Sequence, residues 1–218
     1  MSARFLGVVR RIWIPALVLG LAGTASAGRI DTSMLEHGWP HETVRKFEVG
    51  RYPVRWRQRV SRAEGVLTGV RFDAPVDRQT AWGLAKDYAV LWEMTRAVKA
   101  VRYLERTPGR DVIELDMKIL WKKLTLRFEL EQTPPAEIRF QLLHSKLAQY
   151  RGLCRFEERA SPGGPVATPT EISTWIKPSR AVPLGLLLIV ERALMLEGAK
   201  HFLKECERHH QPALASSR

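Results

Sequence analysis

The sequence predicts an α+β fold: a curled antiparallel sheet of about seven strands around a long C-terminal helix, with two short helices after the first strand. Three observations predict it. Between Gly65 and Lys177, run after run alternates apolar and polar residues at period two, the mark of antiparallel strands with one dry face. From Pro183 to Arg208 the spacing becomes helical, with no further proline. That helix is the only long amphipathic element available to cover the dry face of the sheet.

The chain opens with Arg4, Arg10 and Arg11, an apolar run from Ile12 to Ala22, and Ala25-Ser26-Ala27 before Gly28. This is the pattern of a cleaved signal peptide over residues 1–27, and it predicts an exported, periplasmic protein. The alternative is an uncleaved N-terminal membrane anchor, although the apolar run is short for a span of about 20 residues. Residues 28–64 read as an N-terminal arm or leader strand, extended near Lys46 to Trp56. They are the natural candidate to cover an apolar outer face of the last helix.

Residues 65–208 form the predicted domain. Val66, Thr68, Val70 and Phe72 alternate with Leu67, Gly69 and Arg71 in a first strand ended by Asp73-Ala74-Pro75. Short helices follow at Asp77 to Ala85 and Ala89 to Met94. Val98 to Arg106 is a strand of unassigned phase. Ile113, Leu115, Met117, Ile119 and Trp121 then share a face, as do Leu124, Leu126, Phe128 and Leu130. Thr133-Pro134-Pro135 turns the chain. Ile138, Phe140 and Leu142 alternate with Glu137, Arg139 and Gln141; Tyr150, Gly152, Cys154 and Phe156 with Gln149, Arg151, Leu153 and Arg155; and Thr170, Ile172, Thr174 and Ile176 with Glu171, Ser173, Trp175 and Lys177. Arg127, Arg139, Arg151 and Arg155 fall on the opposite, solvated face. Residues 209–218 read as a flexible tail.

In the last helix Pro183 suits the first turn, where its missing N–H is not needed. Leu184, Leu188, Met195, Ala199, Phe202 and Cys206 form one stripe. The N-terminal half is apolar nearly all round, because Leu186, Ile189, Val190 and Ala193 sit where the later turns are polar. Glu191 and Arg192 flank the buried stripe and need partners.

The whole resembles the START-like, or SRPBCC, superfamily, especially its polyketide cyclase and coenzyme-Q-binding branch. The resemblance rests on Phe72-Asp73-Ala74-Pro75, Trp82, Asp87-Tyr88, Trp92, Gly152, Lys177-Pro178 and Pro183, in that order. Met94 and Cys154 depart from it, standing where the family often has Pro and Trp. It implies a helix-grip fold with a cavity between sheet and helix, and the binding, or the binding and transport, of a hydrophobic small molecule such as a lipid or quinone. Candidate cavity residues are Trp82 and Trp92 on the short helices. On the strands they are Met117, Trp121, Phe128, Phe140, Tyr150 and Phe156, and on the last helix Leu188, Glu191 and Met195. The two tryptophans suit packing of the short helices onto the sheet better than a place at the pocket mouth. Glu191 suits a pair with Arg192 or a strand arginine, or the solvated cavity rim, better than a ligand anchor.

A formal charge of +12, or +9 once three basic residues leave with residues 1–27, favours peripheral contact with an anionic membrane surface. Nucleic acid is not an expected partner, since no reading element is evident and export would separate the two. The sequence carries no nucleophile–base pair, metal-ligand spacing or phosphate-binding glycine loop, so no catalytic residue, metal or cofactor is assigned. A cyclase or aromatase on the same pocket, and a ligand-free interaction module, remain the alternatives. Cys154 and Cys206 could form a disulfide or stay as two buried thiols.

Overall fold

The computed structural model describes residues 29–36, 42–88, 97–119, 122–158, 166–179 and 183–215. Its strands are β1 (Thr43–Val49), β2 (Tyr52–Ser61), β3 (Gly65–Ala74), β4 (Val98–Thr107), β5 (Arg110–Ile119), β6 (Lys122–Thr133), β7 (Glu137–Leu143), β8 (Ala148–Phe156) and β9 (Thr168–Pro178). They form one open antiparallel sheet in the order β1-β2-β3-β9-β8-β7-β6-β5-β4. The helices are α1 (Ser33–Glu36), α2 (Arg78–Lys86) and α3 (Leu184–Ala215).

The expected seven strands are β3 to β9, so the described sheet has two more than the sequence predicts. The additions, β1 and β2, come from the stretch read as an arm. Their alternation is weak in the sequence because β1 is almost wholly exposed. Only Val54 and Trp56 of β2 are fully buried. The pair closes through Gly50-Arg51, with Val49 opposite Tyr52 and Gly50 at φ +63°. The second short helix, near Ala89 to Met94, lies outside the described residues, as do Trp92 and Trp121.

The inner face of the sheet carries the main core. Val70, Phe72, Ile113, Leu115, Phe128 and Phe156 are buried there against Met195, Ala199, Phe202, Leu203 and Cys206 of α3. Phe202 sits with its ring centroid 5.9 Å from Phe72 and 6.3 Å from Phe156. The first turns of α3 lie over a smaller group, where Leu187 is buried with Val66 and Ile176, and Leu184 and Leu188 pack beside them. Ile189 stays 69% exposed. The β1–β2 hairpin does reach α3: the Arg192 guanidinium lies over the Phe47 ring, and Arg51 pairs with Glu207.

Residues 29–36 cross the other face of the sheet. Leu35 packs with Leu67, Leu153 and Trp175. The Ile30 N–H donates to Glu131, and Arg29 pairs with Glu137 at 2.6 Å. Arg139 lies between Glu137, at 2.8 Å, and Glu36, at 3.0 Å, and is 8% exposed. Arg139 is therefore not on a solvated face, as its alternation suggests. The N-terminal segment excludes water from it, and two carboxylates answer its charge.

The start of α2 is fixed locally. Asp77 accepts from the Thr80 N–H at 2.9 Å and from its hydroxyl at 2.6 Å, satisfying an N-terminal donor of the helix. These bonds hold the Asp77 carboxyl below the usual carboxylate range. The cap orients Trp82 into the core, with Lys86 over its ring.

Candidate functional site

Between the inner face of the sheet and α3 lies a cavity of about 150 Å³. Leu130, Ile138 and Phe140 line it from β6 and β7. Leu194, Met195, Gly198 and Phe202 line it from α3, and Tyr88 and Ala85 close one end. Alternation along β8 and β9 turns Tyr150, Cys154, Thr170, Ile172 and Thr174 inward to complete the wall. Glycine at position 198 opens the space from the helix side, since a Cβ there would meet no atom within 4 Å. Gly152 lets the Phe140 ring lie flat against β8, where a Cβ would stand 1.9 Å from Phe140 Cζ.

The wall is apolar except at two corners and at Thr170, whose hydroxyl donates to the Thr168 carbonyl at 3.1 Å. At one, the Thr174 hydroxyl donates to Glu191 Oε1 at 2.5 Å, and the Tyr150 hydroxyl bonds the same carboxyl. Glu191 is 3% exposed, and burial pushes its carboxyl up to about 7 against the pull of those two bonds. Tyr150 is raised well above its ordinary range, first by burial and then by the neighbouring carboxyl. At the other corner the Tyr88 hydroxyl accepts from Gln132, which also donates to Asp111. Burial, then the Asp111 charge, raise Tyr88 as well. Gln132 pairs with Ile138, and Ile138 with Cys154, four residues along β8 from Tyr150. At the strand rise the corners are offset by roughly 13 Å along the strands, and they also lie two strands apart across the sheet.

No protein-family model and no curated protein matches the sequence. Solved structures do match the fold. Human STARD10 superposes with a TM-score of 0.63 at 13% identity, over 88% of each chain. A STAR-related lipid transfer protein from Xanthomonas axonopodis gives 0.61 at 11%, over 77% of this chain and 99% of that one. The Zhui aromatase/cyclase of a Streptomyces species gives 0.57 at 14%, over 65% and 93%. The chain has the START-like fold.

Within this START-like fold the predicted residues separate into groups. Phe140, Tyr150 and Met195 line the cavity, and Glu191 stands directly behind Tyr150 and Thr174. Met117, Phe128 and Phe156 are buried core. Phe128 meets the site through edge contacts to Phe140 and Tyr150, at 6.5 and 5.9 Å between centroids. Trp82 is 7% exposed and packs α2, and its indole N–H has no partner among the described residues. Leu188 belongs to the smaller group around Val66. Glu191 meets two hydroxyls rather than an arginine or the solvated rim.

Sequence reasoning named neither Tyr88, Leu130, Ile138, Ile172, Leu194 and Phe202 as cavity residues nor the polar Thr170 and Thr174 and the opening at Gly198. A signal for the threonines was present: they alternate with Ile172 and Ile176 on a face that is otherwise apolar. Cys154 and Cys206 are both thiols, the first lining the cavity. Burial pushes the Cys206 thiol up to about 12, which leaves it unreactive at neutral pH.

A second hollow, about 300 Å³, opens on the outer side of β1 to β3. Glu42, Lys46, Arg55, Arg57, Arg71 and Glu171 line it together with Val44, so charged groups ring a surface that is itself largely apolar. In register, Lys46 stands opposite Arg55, and Arg55 opposite Arg71. Arg71 pairs with Glu157 at 2.6 Å, and Arg57 with Glu171.

Proposed function

We propose that the protein binds a hydrophobic small molecule of the lipid or quinone class between the sheet and α3. The observation that carries this reading is a mostly apolar cavity with hydrogen-bonding groups at two of its corners. A structure named for lipid transfer shares the fold. Apolar surface leaving water supplies about 25 cal/mol per Å², and a polar corner fixes orientation. A cavity of about 150 Å³ accommodates one ring or the end of a chain. A whole lipid requires α3 and its surroundings to move outward.

Native mass spectrometry of the protein from its own cellular compartment, followed by organic extraction, tests this reading. A co-purifying lipid or quinone is the expected result. An empty protein that takes up nothing from lipid and quinone mixtures would overturn it in favour of an interaction module. Turnover of the bound molecule would favour a cyclase. Gly198→Leu supplies the control. Its side chain fills the cavity from α3, so uptake is lost while the fold is retained, as helix propensity improves by up to about 1 kcal/mol.

We also propose that the protein is exported after cleavage before Gly28, with peripheral contact to an anionic membrane. The signal-like residues 1–27 and the basic row Lys46, Arg55 and Arg71 support this. N-terminal sequencing of the cellular protein is expected to begin at Gly28.

A further inference from the structure

The corner formed by Tyr150, Thr174 and Glu191 can be counted proton by proton. Each hydroxyl has one proton and two lone pairs, and an ionised carboxylate only accepts. Thr174 directs its proton to Glu191, Tyr150 bonds the same carboxyl, and the two hydroxyls also bond each other. With Glu191 ionised, both hydroxyl protons are committed to it. The cavity then meets only lone pairs from Tyr150 and Thr174. A ligand hydroxyl can donate to them, but a ligand carbonyl finds no proton at this corner.

A proton on Glu191 changes the balance. The carboxyl then donates to one hydroxyl and the corner holds three protons instead of two; with no negative charge to hold them, one hydroxyl can turn its proton to a cavity acceptor for the loss of one neutral bond, to its neighbour hydroxyl or to the Thr68 carbonyl. The groups facing Glu191 are Tyr150 on β8, Thr174 on β9 and, beyond Thr174 Oγ1 at 3.5 Å, the Thr68 carbonyl on β3. Arg192, next along α3, is turned to Phe47. The charge on Glu191 thus sets the hydrogen-bonding sense of the corner.

We propose that this corner selects the ligand's head group: with Glu191 ionised it takes a hydroxyl-bearing ring, a phenol or hydroquinone, and with Glu191 neutral it also takes a carbonyl. The proposal rests on reading the cavity as a ligand site. The cavity volume suits a single ring, with Phe140 and Tyr150 as aromatic walls. Burial raises the Glu191 carboxyl to about 7, so both states lie within reach of ordinary buffers.

The test is calorimetric titration of the purified protein with 4-ethylphenol, 4-ethylbenzaldehyde and 4-ethyltoluene, at about pH 8.5 and about pH 5.5, on either side of the raised carboxyl. At the higher pH the phenol is expected to bind about tenfold more tightly than the aldehyde, since the aldehyde buries an unmet acceptor. At the lower pH that ratio shrinks by at least about threefold. Glu191→Gln, whose amide both donates and accepts, shows the low-pH ratio at both values. Tyr150→Phe weakens the phenol and leaves 4-ethyltoluene unchanged.

Equal affinity for phenol and aldehyde at both pH values, with 4-ethyltoluene still binding, would overturn the head-group selection and leave the cavity reading intact. An undiminished phenol preference in Glu191→Gln at about pH 8.5 does the same. If none of the three compounds binds and no apolar molecule co-purifies, the cavity reading falls, and this proposal with it.

Discussion

At Gly152 the fold leaves no room for a side chain. The Phe140 ring occupies the place of the missing Cβ, because the two residues are directly paired across β7 and β8. Gly152→Ala forces that ring into the cavity it now borders. The expected loss of stability is about 1–3 kcal/mol, read from urea unfolding. Phe140→Ala in the same chain removes the clash, so the double mutant is expected to be more stable than the sum of the single effects allows. Glu191 has a separate signature. Its carboxyl is near 7 folded and near its ordinary 4.5 unfolded, so between those values the folded state keeps a proton the unfolded state has lost. The contribution is fully present below about pH 4.5, is lost as pH rises toward 7, and is flat above. Wild type is expected to lose up to about 3 kcal/mol across that window relative to Glu191→Gln, which lacks the titration. Unfolding curves of both proteins at several pH values read the difference directly.

At the scale of elements, α3 does two jobs along its length. Its second half closes the core through Ala199, Phe202 and Cys206, while Gly198 and Met195 leave the cavity open. The N-terminal segment works on the other face. It converts Glu137 and Arg139, alternating polar residues of an ordinary strand, into a buried pair capped by Arg29 and Glu36. Arg139→Met leaves Glu137 with only the more distant or more exposed cations Arg29 and Arg155. The expected cost is about 3 kcal/mol, and Glu137→Met in the same chain recovers most of it. Arg29→Ala, at a side chain 65% exposed, is expected to cost no more than about 1 kcal/mol. Denaturant unfolding of the three variants decides whether the segment is held by charge or by Leu35.

For the whole molecule the relevant quantity is where the positive charge sits. Lys46 and Arg55 are exposed and face one another across β1 and β2, an arrangement that destabilises a hairpin in isolation. Among the described residues neither has an ion-pair partner. A negatively charged surface would relieve that repulsion. Vesicles containing an anionic lipid are expected to bind the protein at low salt and release it at high salt. Replacing both residues by Glu is expected to weaken binding about tenfold or more, at roughly 1 kcal/mol per basic residue brought to the surface. Retained binding by that variant would place any membrane contact elsewhere, for example at the exposed Ile189.

The strands from β3 to β9, the two-sided α3 and their order are legible in the sequence because the cause is local. Val66 to Phe72 or Ile113 to Met117 can bury their apolar residues only on one face, and Pro183 and the helical stripe leave α3 one way to lie. Three things are not local. β1 and β2 join the sheet because β3 offers an edge, not because their own alternation demands it. Arg139 is buried by a segment more than a hundred positions away. Glu191 finds Thr174 at a separation of 17 residues, and Tyr150 from a further strand, because α3 crosses β8 and β9 at that point. Alternation told that Tyr150 and Thr174 point inward and that Glu191 needed partners. Only the packing of helix on sheet brought the three together and left the space beside them open, since that space is set by side chains on several elements failing to fill it.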